Sequence, residues 1–183
     1  NAACAGFLYG LDLADKYIQA DHSMKVLIIG AEALSGRLDW QDRNTCILFG
    51  DGAGAAVLGY SEGERGIVGS KLQSDGNFWE LLHMHAPVSP NPDLIVEGNK
   101  GAYIQMAGGE VFKHAVRAMQ DAVLTLLERE QVDLDSINLV IPHQANNRIL
   151  KKLINCLNIP LSRVYINVSK YGNTSAASIP IAL

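Results

Sequence analysis

Several features that mark particular classes of protein are scarce in this sequence of 183 residues. Basic residues number 15 against 19 acidic ones, and the net charge of −4 provides no positive field for nucleic acid or an anionic membrane. No apolar run is long enough to span a membrane, and no secretory signal peptide is visible. We therefore expect neither a nucleic-acid partner nor membrane association.

Cysteine is also scarce. The chain has three, Cys4, Cys46 and Cys156, an odd number without a pairing pattern. This argues against a disulfide framework and predicts a reducing, cytoplasmic location. Hydrophobic residues make up 48% of the chain, which indicates a globular protein. The first residue is not Met and the last residues form a helix-like segment without a cap, so we expect a fragment of a longer polypeptide.

Helical and strand-like patterns alternate along the chain, which predicts a layered α/β architecture. Helical periodicity covers 7–18, 108–130 and 149–157. Short apolar runs predict strands at 25–30 (buried on both faces), 46–49, 55–58, 67–72, 137–141 and 164–166.

The first residues place a cysteine among small residues immediately before a helical pattern. Phe7, Leu11, Ala14 and Ile18 recur on one face of that helix. If Cys4 lies at the first turn, unpaired backbone N–H groups and the helix dipole favour its thiolate form. A small buried cysteine without chemistry is an equally good interpretation of this stretch alone.

Two other patterns invite functional interpretations that we disfavour. The glycine-rich residues 50–54 resemble a phosphate-binding loop, but a strand follows them where such loops need a helix. A tight turn with close backbone packing is the better prediction. His83 and His85 lie close together without a third ligand in view, so no metal site is predicted.

Two further junctions combine a polar side chain with a helix start. His143 follows a predicted strand and a proline, and Asn173 follows a glycine in a turn. In layered α/β folds ligands gather where strands give way to loops and helices. Each residue also has a structural explanation, His143 as a satisfied histidine and Asn173 as a turn residue or cap. Together with Cys4 they are typical of cysteine hydrolases or of decarboxylating condensing enzymes.

Four separated motifs distinguish these two chemistries. They are NAACAGF at 1–7, FGDGAGAA at 49–56, PHQAN at 142–146 and YGNTSAAS at 171–178. In this order and over the whole chain they closely resemble β-ketoacyl-acyl-carrier-protein synthase III, the condensing enzyme that starts type II fatty-acid synthesis. A papain-like hydrolase would carry Trp after its cysteine, and Ala5 occupies that position.

The resemblance implies a thiolase-like αβαβα sandwich, incomplete in this chain, and a homodimer. Residues 1–60 would be the end of the N-terminal half and 61–183 most of the C-terminal half. The family's first part and a C-terminal glycine-rich loop would be missing.

The resemblance also implies a role for each residue. Cys4 would accept the acyl group of an acyl-CoA, and His143 and Asn173 would donate hydrogen bonds during decarboxylation of malonyl-acyl-carrier protein. No permanently bound cofactor is implied, because the CoA thioester is a substrate. The residues matched to CoA and carrier contacts are Arg43, Trp40, Phe112, Asn146 and Arg148.

One position departs from the family pattern. Gly109 stands where the family has an Asn that contacts pantetheine. Three alternatives stay open: a related acyltransferase or condensing enzyme of secondary metabolism, a Cys-His-Asn hydrolase, and an inactive binding module. The sequence does not identify the primer acyl group.

Overall fold

The computed structural model describes residues 2–63, 65–84 and 103–183. Its regular elements, in chain order, are helix α1 (Gly6–Ala20), strands β1 (Lys25–Glu32), β2 (Gly52–Gly59), β3 (Leu82–His83) and β4 (Gln105–Met106), and helices α2 (Gly108–Glu130), α3 (Asn147–Leu157), α4 (Val168–Tyr171) and α5 (Ser178–Ala182). The predicted mixture of helices and strands is confirmed. Within these ranges, no helix is both long and apolar enough to cross a membrane.

Helix α1 buries the face that its sequence periodicity predicted. Phe7, Ala14 and Ile18 are buried, and Leu11 packs against the same cluster. Ile28 of β1 and Ile179 of α5 complete that cluster. The N-terminal helix is therefore fixed against both the hairpin and the end of the chain.

Strands β1 and β2 form an antiparallel hairpin in which Gly30 lies opposite Gly54. Helices α1 and α5 pack against this hairpin. The prediction that 25–30 is buried on both faces is wrong for the described chain, because Leu27 and Ile29 are 58% and 62% exposed. Alternate side chains of a strand point to opposite faces, and α1 and α5 cover the face that carries Ile28.

The glycines of the hairpin permit close backbone contact. A Cβ atom on Gly30 would lie 2.5 Å from the carbonyl oxygen of Ala176, and one on Gly54 would lie 2.7 Å from the carbonyl carbon of Pro180. The predicted role of the glycine-rich residues in close packing is confirmed. Since β2 begins at Gly52, no helix follows them as a phosphate-binding loop requires.

Four other strand predictions are wrong or only partly right. Residues 46–48 form turns, and 67–72 contain no strand. In the regions predicted as strands at 137–141 and 164–166, pairing is confined to one parallel bridge between Val140 and Val164.

A second cluster of buried residues lies between α2 and α3. Leu153 and Leu157 of α3 and the following Ile159 form its centre, and Met119 and Val123 of α2 pack against it. Both helices follow the sequence prediction. This cluster holds α3, and with it the PHQAN motif at its N-terminus, against the longest helix.

Candidate active site

One short stretch near the end of the chain carries or contacts the three residues predicted to be catalytic. We call residues 173–178, which follow α4 and end at the first residue of α5, the 173–178 segment. It carries Asn173, its Ser175 is hydrogen-bonded to Cys4, and its Ser178 is in contact with His143. Ser175 and Ser178 are three residues apart, so the contacts to Cys4 and His143 are made from neighbouring positions of one short segment.

Cys4 occupies a single 3-10 turn, Ala3–Ala5, immediately before α1. This turn packs against the turn formed by Ser175–Ala177. The two turns lie in contact at Gly6, where a Cβ atom would be at van der Waals distance, 3.5 Å, from Cβ of Ala176. The cysteine is thus at the start of a helix, as expected, and faces the 173–178 segment.

The pKa of Cys4 departs from the expectation of a stabilised thiolate. Burial raises the pKa of the thiol above its usual range, and the negative charge of Glu32 raises it further. A hydrogen bond from the Ser175 hydroxyl and the backbone N–H of Cys4 lower the pKa, but they do not offset burial. The desolvation of the sulfur therefore outweighs the effect of the helix start.

Backbone strain is concentrated beside the sulfur. Four described residues other than glycine have positive φ, and two of them, Gln131 and Asn158, are ordinary left-handed caps at the ends of α2 and α3. The other two are Ala3 (φ 45°) and Ser175 (φ 48°), which lie next to Cys4 in sequence and in space. Such strain is typical of sites whose geometry matters more than local stability.

The side chain of Asn173 has a defined orientation. Its oxygen accepts a hydrogen bond from the backbone N–H of Ser175 at 2.9 Å, so its NH₂ group is left as a donor. Its backbone is held by hydrogen bonds to Leu48 and Gly50 on either side of Phe49. The residue is 8% exposed. These contacts hold a rigid amide donor at the edge of the 173–178 segment.

His143 is a neutral, buried imidazole. Burial lowers its pKa to about 4, so the ring carries no charge at neutral pH. Its Nδ1 lies 2.6 Å from Oγ of Ser178. Ser178 is thus the partner of Nδ1, the ring nitrogen on that side of the imidazole.

Gln144 anchors the loop that carries His143. Its side chain is fully buried and makes four hydrogen bonds. The amide nitrogen donates to the carbonyl oxygens of Pro142 (2.9 Å) and Tyr165 (3.2 Å), and the oxygen accepts from the N–H groups of Asn167 and Val168. The residue therefore ties the histidine loop to the start of α4, which leads into Asn173.

The residues predicted to contact CoA and the carrier form two groups. Phe112 and Arg148 lie together, with the guanidinium carbon 5.9 Å from the ring centroid. Asn146 caps α3 through its side-chain oxygen, which accepts from the N–H of Ile149 at 2.9 Å. Trp40, 67% exposed, and Arg43, also exposed, lie in the polar loop before the glycine-rich residues.

A cleft of about 160 Å³ opens beside Cys4. Its lining residues are Ala3, Cys4, Leu34, Phe49, Leu82, His83, Ile104 and Ser175. Nδ1 of His83 lies 3.0 Å from the carbonyl oxygen of Glu80. The described ranges contain no group of three or more metal-ligating side chains, and His85 lies outside them.

Sequence reasoning missed the residues that connect the site. Ser175 and Ser178 contact Cys4 and His143, Gln144 anchors the histidine loop, and Glu32 accepts a hydrogen bond from the N–H of Ala176 at 3.3 Å. The two serines belong to the YGNTSAAS motif. Their three-residue spacing before an apolar helix was the available signal, because it places them on one helix face.

Comparison with known families matches both ends of the chain to one kind of enzyme. Residues 1–76 match the model of 3-oxoacyl-[acyl-carrier-protein] synthase III, and residues 127–183 match the model of its C-terminal part. The whole chain is 54% identical to a β-ketoacyl-[acyl-carrier-protein] synthase III of Desulfotalea psychrophila and 48% identical to that of Aquifex aeolicus. It spans 56% and 55% of the length of these two relatives.

Solved structures agree with the sequence comparison. The synthase III structures of Aquifex aeolicus and Thermus thermophilus each superpose on 99% of this chain with a TM-score of 0.88, at 48% and 44% identity. The chain covers 54% and 56% of those structures. The fold is therefore the predicted thiolase-like α/β architecture, of which this chain forms an incomplete part. By its sequence and its fold, the chain belongs to the 3-oxoacyl-[acyl-carrier-protein] synthase III family.

Proposed function

We propose that the protein condenses an acyl-CoA primer with malonyl-acyl-carrier protein, with loss of CO₂, to give 3-oxoacyl-acyl-carrier protein. This reaction initiates type II fatty-acid synthesis. The observation that carries the proposal is the 173–178 segment, which presents Asn173 and contacts Cys4 and His143 within two turns. A nucleophile and two neutral hydrogen-bond donors are the groups that the two half-reactions need.

In the first half-reaction the sulfur of Cys4 attacks the acyl-CoA carbonyl and the thiolate of CoA leaves. One thioester is exchanged for another, so the protein supplies mainly position and stabilisation of the oxyanion. The Ser175 hydroxyl, which lowers the pKa of Cys4, stabilises the attacking thiolate. The apolar side chains of Leu34, Phe49 and Ile104 in the cleft beside Cys4 suit a short acyl chain.

In the second half-reaction the malonyl thioester loses CO₂ and negative charge develops on its carbonyl oxygen. His143, through Nε2–H, and Asn173, through its NH₂ group, donate hydrogen bonds to that oxygen. Neutral donors suit this step because no proton has to move. The resulting carbanion attacks the acyl group on Cys4, a carbon–carbon bond forms, and the Cys4 thiolate leaves.

The carrier and CoA contacts belong to the same proposal. Arg148, whose side chain lies over Phe112, meets the phosphate of the carrier's pantetheine, and Asn146 contacts the pantetheine arm. Trp40 and Arg43 meet the adenine end of CoA. Because both reactive groups of the substrates are thioesters, the reaction needs no resident cofactor and no metal.

We also propose that the protein acts in the cytoplasm as a homodimer. Cys4, Cys46 and Cys156 are free thiols, which suits a reducing compartment. The exposed side chains of Leu27, Ile29 and Val57 give the hairpin an uncovered apolar face of the kind that subunit contacts bury. The boundary between two halves at residue 60 remains a proposal as well.

A second candidate function is condensation in secondary metabolism. A solved structure described as the priming β-ketosynthase of the R1128 polyketide biosynthetic pathway superposes on 99% of the chain, with a TM-score of 0.81 and 35% identity. The same three residues would serve that reaction. The identity of the primer and of the carrier separates the two functions.

The proposal is tested by incubating the intact protein with radiolabelled acetyl-CoA and malonyl-acyl-carrier protein. We expect label on the protein, then CO₂ release and a labelled 3-oxobutyryl carrier, and the Cys4→Ser variant should retain no label. Retention of label by Cys4→Ser would exclude Cys4 as the acyl acceptor. Thioester hydrolysis without condensation would favour a hydrolase, and carrier binding without turnover would favour a binding module.

A further inference from the structure

Ser178 is the first residue of α5 and the last of the 173–178 segment, and its hydroxyl group contacts the histidine loop. The residue is 2% exposed. Its Oγ lies 2.6 Å from Nδ1 of His143 and accepts a weaker hydrogen bond, at 3.4 Å, from the backbone N–H of Gln144. A buried hydroxyl in contact with a histidine ring influences which ring nitrogen carries the proton.

The hydrogen-bond inventory of Ser178 determines the direction of its bond to His143. A hydroxyl has one hydrogen to donate, and a buried one needs an acceptor. Among the described residues, Nδ1 of His143 is the one acceptor within hydrogen-bond distance of Ser178 Oγ, and the N–H of Gln144 already occupies a lone pair of that oxygen. The hydroxyl therefore donates to Nδ1, and Nδ1 carries no hydrogen.

The donor from Gln144 is itself fixed. The side chain of Gln144 is fully buried and satisfied by its four hydrogen bonds, so its backbone N–H cannot turn away from Ser178 without breaking them. The arrangement is asymmetric: the Gln144 N–H points to Oγ, and the Ser178 O–H points to Nδ1. Exchange of the two roles would leave the Ser178 hydrogen buried without an acceptor.

We propose that Ser178 is a positioning residue that keeps Nδ1 of His143 unprotonated, so that the neutral ring presents its hydrogen on Nε2. This inference rests on the proposed function, in which Nε2–H donates to the oxygen of the decarboxylating thioester. A ring with the hydrogen on Nδ1 would place a lone pair toward that oxygen and repel the developing charge. Ser178 itself touches no reacting atom.

The first test reads the tautomer of the wild-type protein, and a variant serves only to assign the signals. We label the intact protein with ¹⁵N-histidine and assign the His143 ring signals by their loss in His143→Gln. The expected spectrum at neutral pH shows an unprotonated Nδ1 and a protonated Nε2. A protonated Nδ1 in the wild-type protein would overturn the proposal, whether or not the protein condenses acyl groups.

The second test separates the two half-reactions in Ser178→Ala, with Ser162→Ala, an exposed serine, as the matched control. We expect CO₂ release from malonyl-acyl-carrier protein to fall about tenfold, the factor expected from one hydrogen bond of ordinary strength. Acyl transfer to Cys4 should stay within twofold of the wild type, and the His143 signals should show both tautomers. Decarboxylation at the wild-type rate with an unchanged spectrum would contradict the assignment.

These results are distinguishable from failure of the proposed function. If the wild-type protein neither accepts an acyl group nor releases CO₂, the condensation proposal fails, while the ¹⁵N spectrum still decides the tautomer. If both half-reactions slow equally in Ser178→Ala and the spectrum is unchanged, the residue supports the fold and the positioning role is wrong.

Discussion

At the scale of single residues, the environment of Cys4 combines opposing influences on one sulfur. Burial and the charge of Glu32 raise its pKa, and the hydroxyl of Ser175 lowers it. Glu32 also accepts a hydrogen bond from the N–H of Ala176, so it both supports the 173–178 segment and opposes the thiolate. The two roles can be separated, because a glutamine retains the acceptor and removes the charge.

We predict that Glu32→Gln lowers the pKa of Cys4. Removal of a negative charge favours the thiolate, so the rate of alkylation by iodoacetamide should rise at a lower pH than in the wild type. Mass spectrometry of the Cys4 peptide distinguishes this thiol from Cys46 and Cys156. Glu62→Gln, at an exposed position, is the control. An unchanged or upward-shifted profile would show that Glu32 does not act on the sulfur.

The burial of His143 leads to a separate prediction about how the stability of the protein depends on pH. Burial lowers its pKa to about 4 from an ordinary value of 6.5, so between these values the unfolded chain binds a proton that the folded chain excludes. Stability must therefore fall as the pH decreases through this range. From pH 7 to pH 5 the histidine should account for about 2 kcal/mol of the loss.

Urea unfolding of the wild type and of His143→Gln at both pH values measures this contribution. We expect the variant to lose about 2 kcal/mol less than the wild type over this interval. Carboxylates titrate in both proteins, so their contribution to the loss of stability cancels in the comparison. Equal losses in the two proteins would mean that folding does not lower the pKa of His143.

At the scale of elements, the site depends on how closely the 173–178 segment approaches the hairpin. Gly30 and Gly54 face each other across the strands, and each leaves room for backbone atoms of the segment or of α5. Side chains at these positions would push the segment outward. The glycines of the hairpin therefore permit the position that the 173–178 segment takes.

We predict that Gly30→Ala lowers the rate of CO₂ release at least tenfold, because its Cβ atom would lie 2.5 Å from the Ala176 carbonyl oxygen and displace the segment. Gly36→Ala is the matched control, since a Cβ atom there has no heavy atom within 4 Å. Both rates are measured at saturating substrate. Equal activity of the two variants would contradict a role for this close approach.

Among the elements, the long helices could be predicted from the sequence, whereas a short apolar run could not be assigned correctly. The periodicity of α1, α2 and α3 is local and extends over 11 to 23 residues. Tertiary contacts therefore do not override the helices that it predicts. Residues 46–49 have an equally apolar sequence, but their backbone N–H groups bond to nearby residues instead of to a neighbouring strand. The carbonyl oxygen of Asp42 accepts from the N–H groups of Thr45 and Cys46, and that of Thr45 accepts from Leu48 and Phe49, which produces turns over 46–48.

At the scale of the whole molecule, the site joins residues that are far apart in sequence. The bond between His143 and Ser178 spans 35 residues, and that between Glu32 and Ala176 spans 144. Local patterns predict none of these contacts. Cys4, His143 and Asn173 could be selected because each lies at a helix start or turn in a distinctive motif, whereas their supporting residues become visible when the chain is folded.

Burial on the hairpin also depends on the whole molecule. The sequence of β1 predicts burial on both faces, while Leu27, Ile29 and Val57 are exposed in the described chain. In the described chain, α1, α5 and the turn at Ser175–Ala177 pack against the hairpin, and the buried Ile28 faces α1 and α5. A continuous apolar run therefore did not predict the burial of this strand, because burial depends on what packs against each face.

The central claim is that different residues of one site serve the two half-reactions: Cys4 accepts the acyl group, and His143 and Asn173 promote decarboxylation. It is tested most directly by measuring acyl-Cys4 formation and CO₂ release in His143→Ala and Asn173→Ala of the intact protein. We predict that both variants form the acyl-enzyme at close to the wild-type rate and release CO₂ about 10²- to 10³-fold more slowly. Variants that release CO₂ normally, or that lose only acylation of Cys4, would contradict the claim.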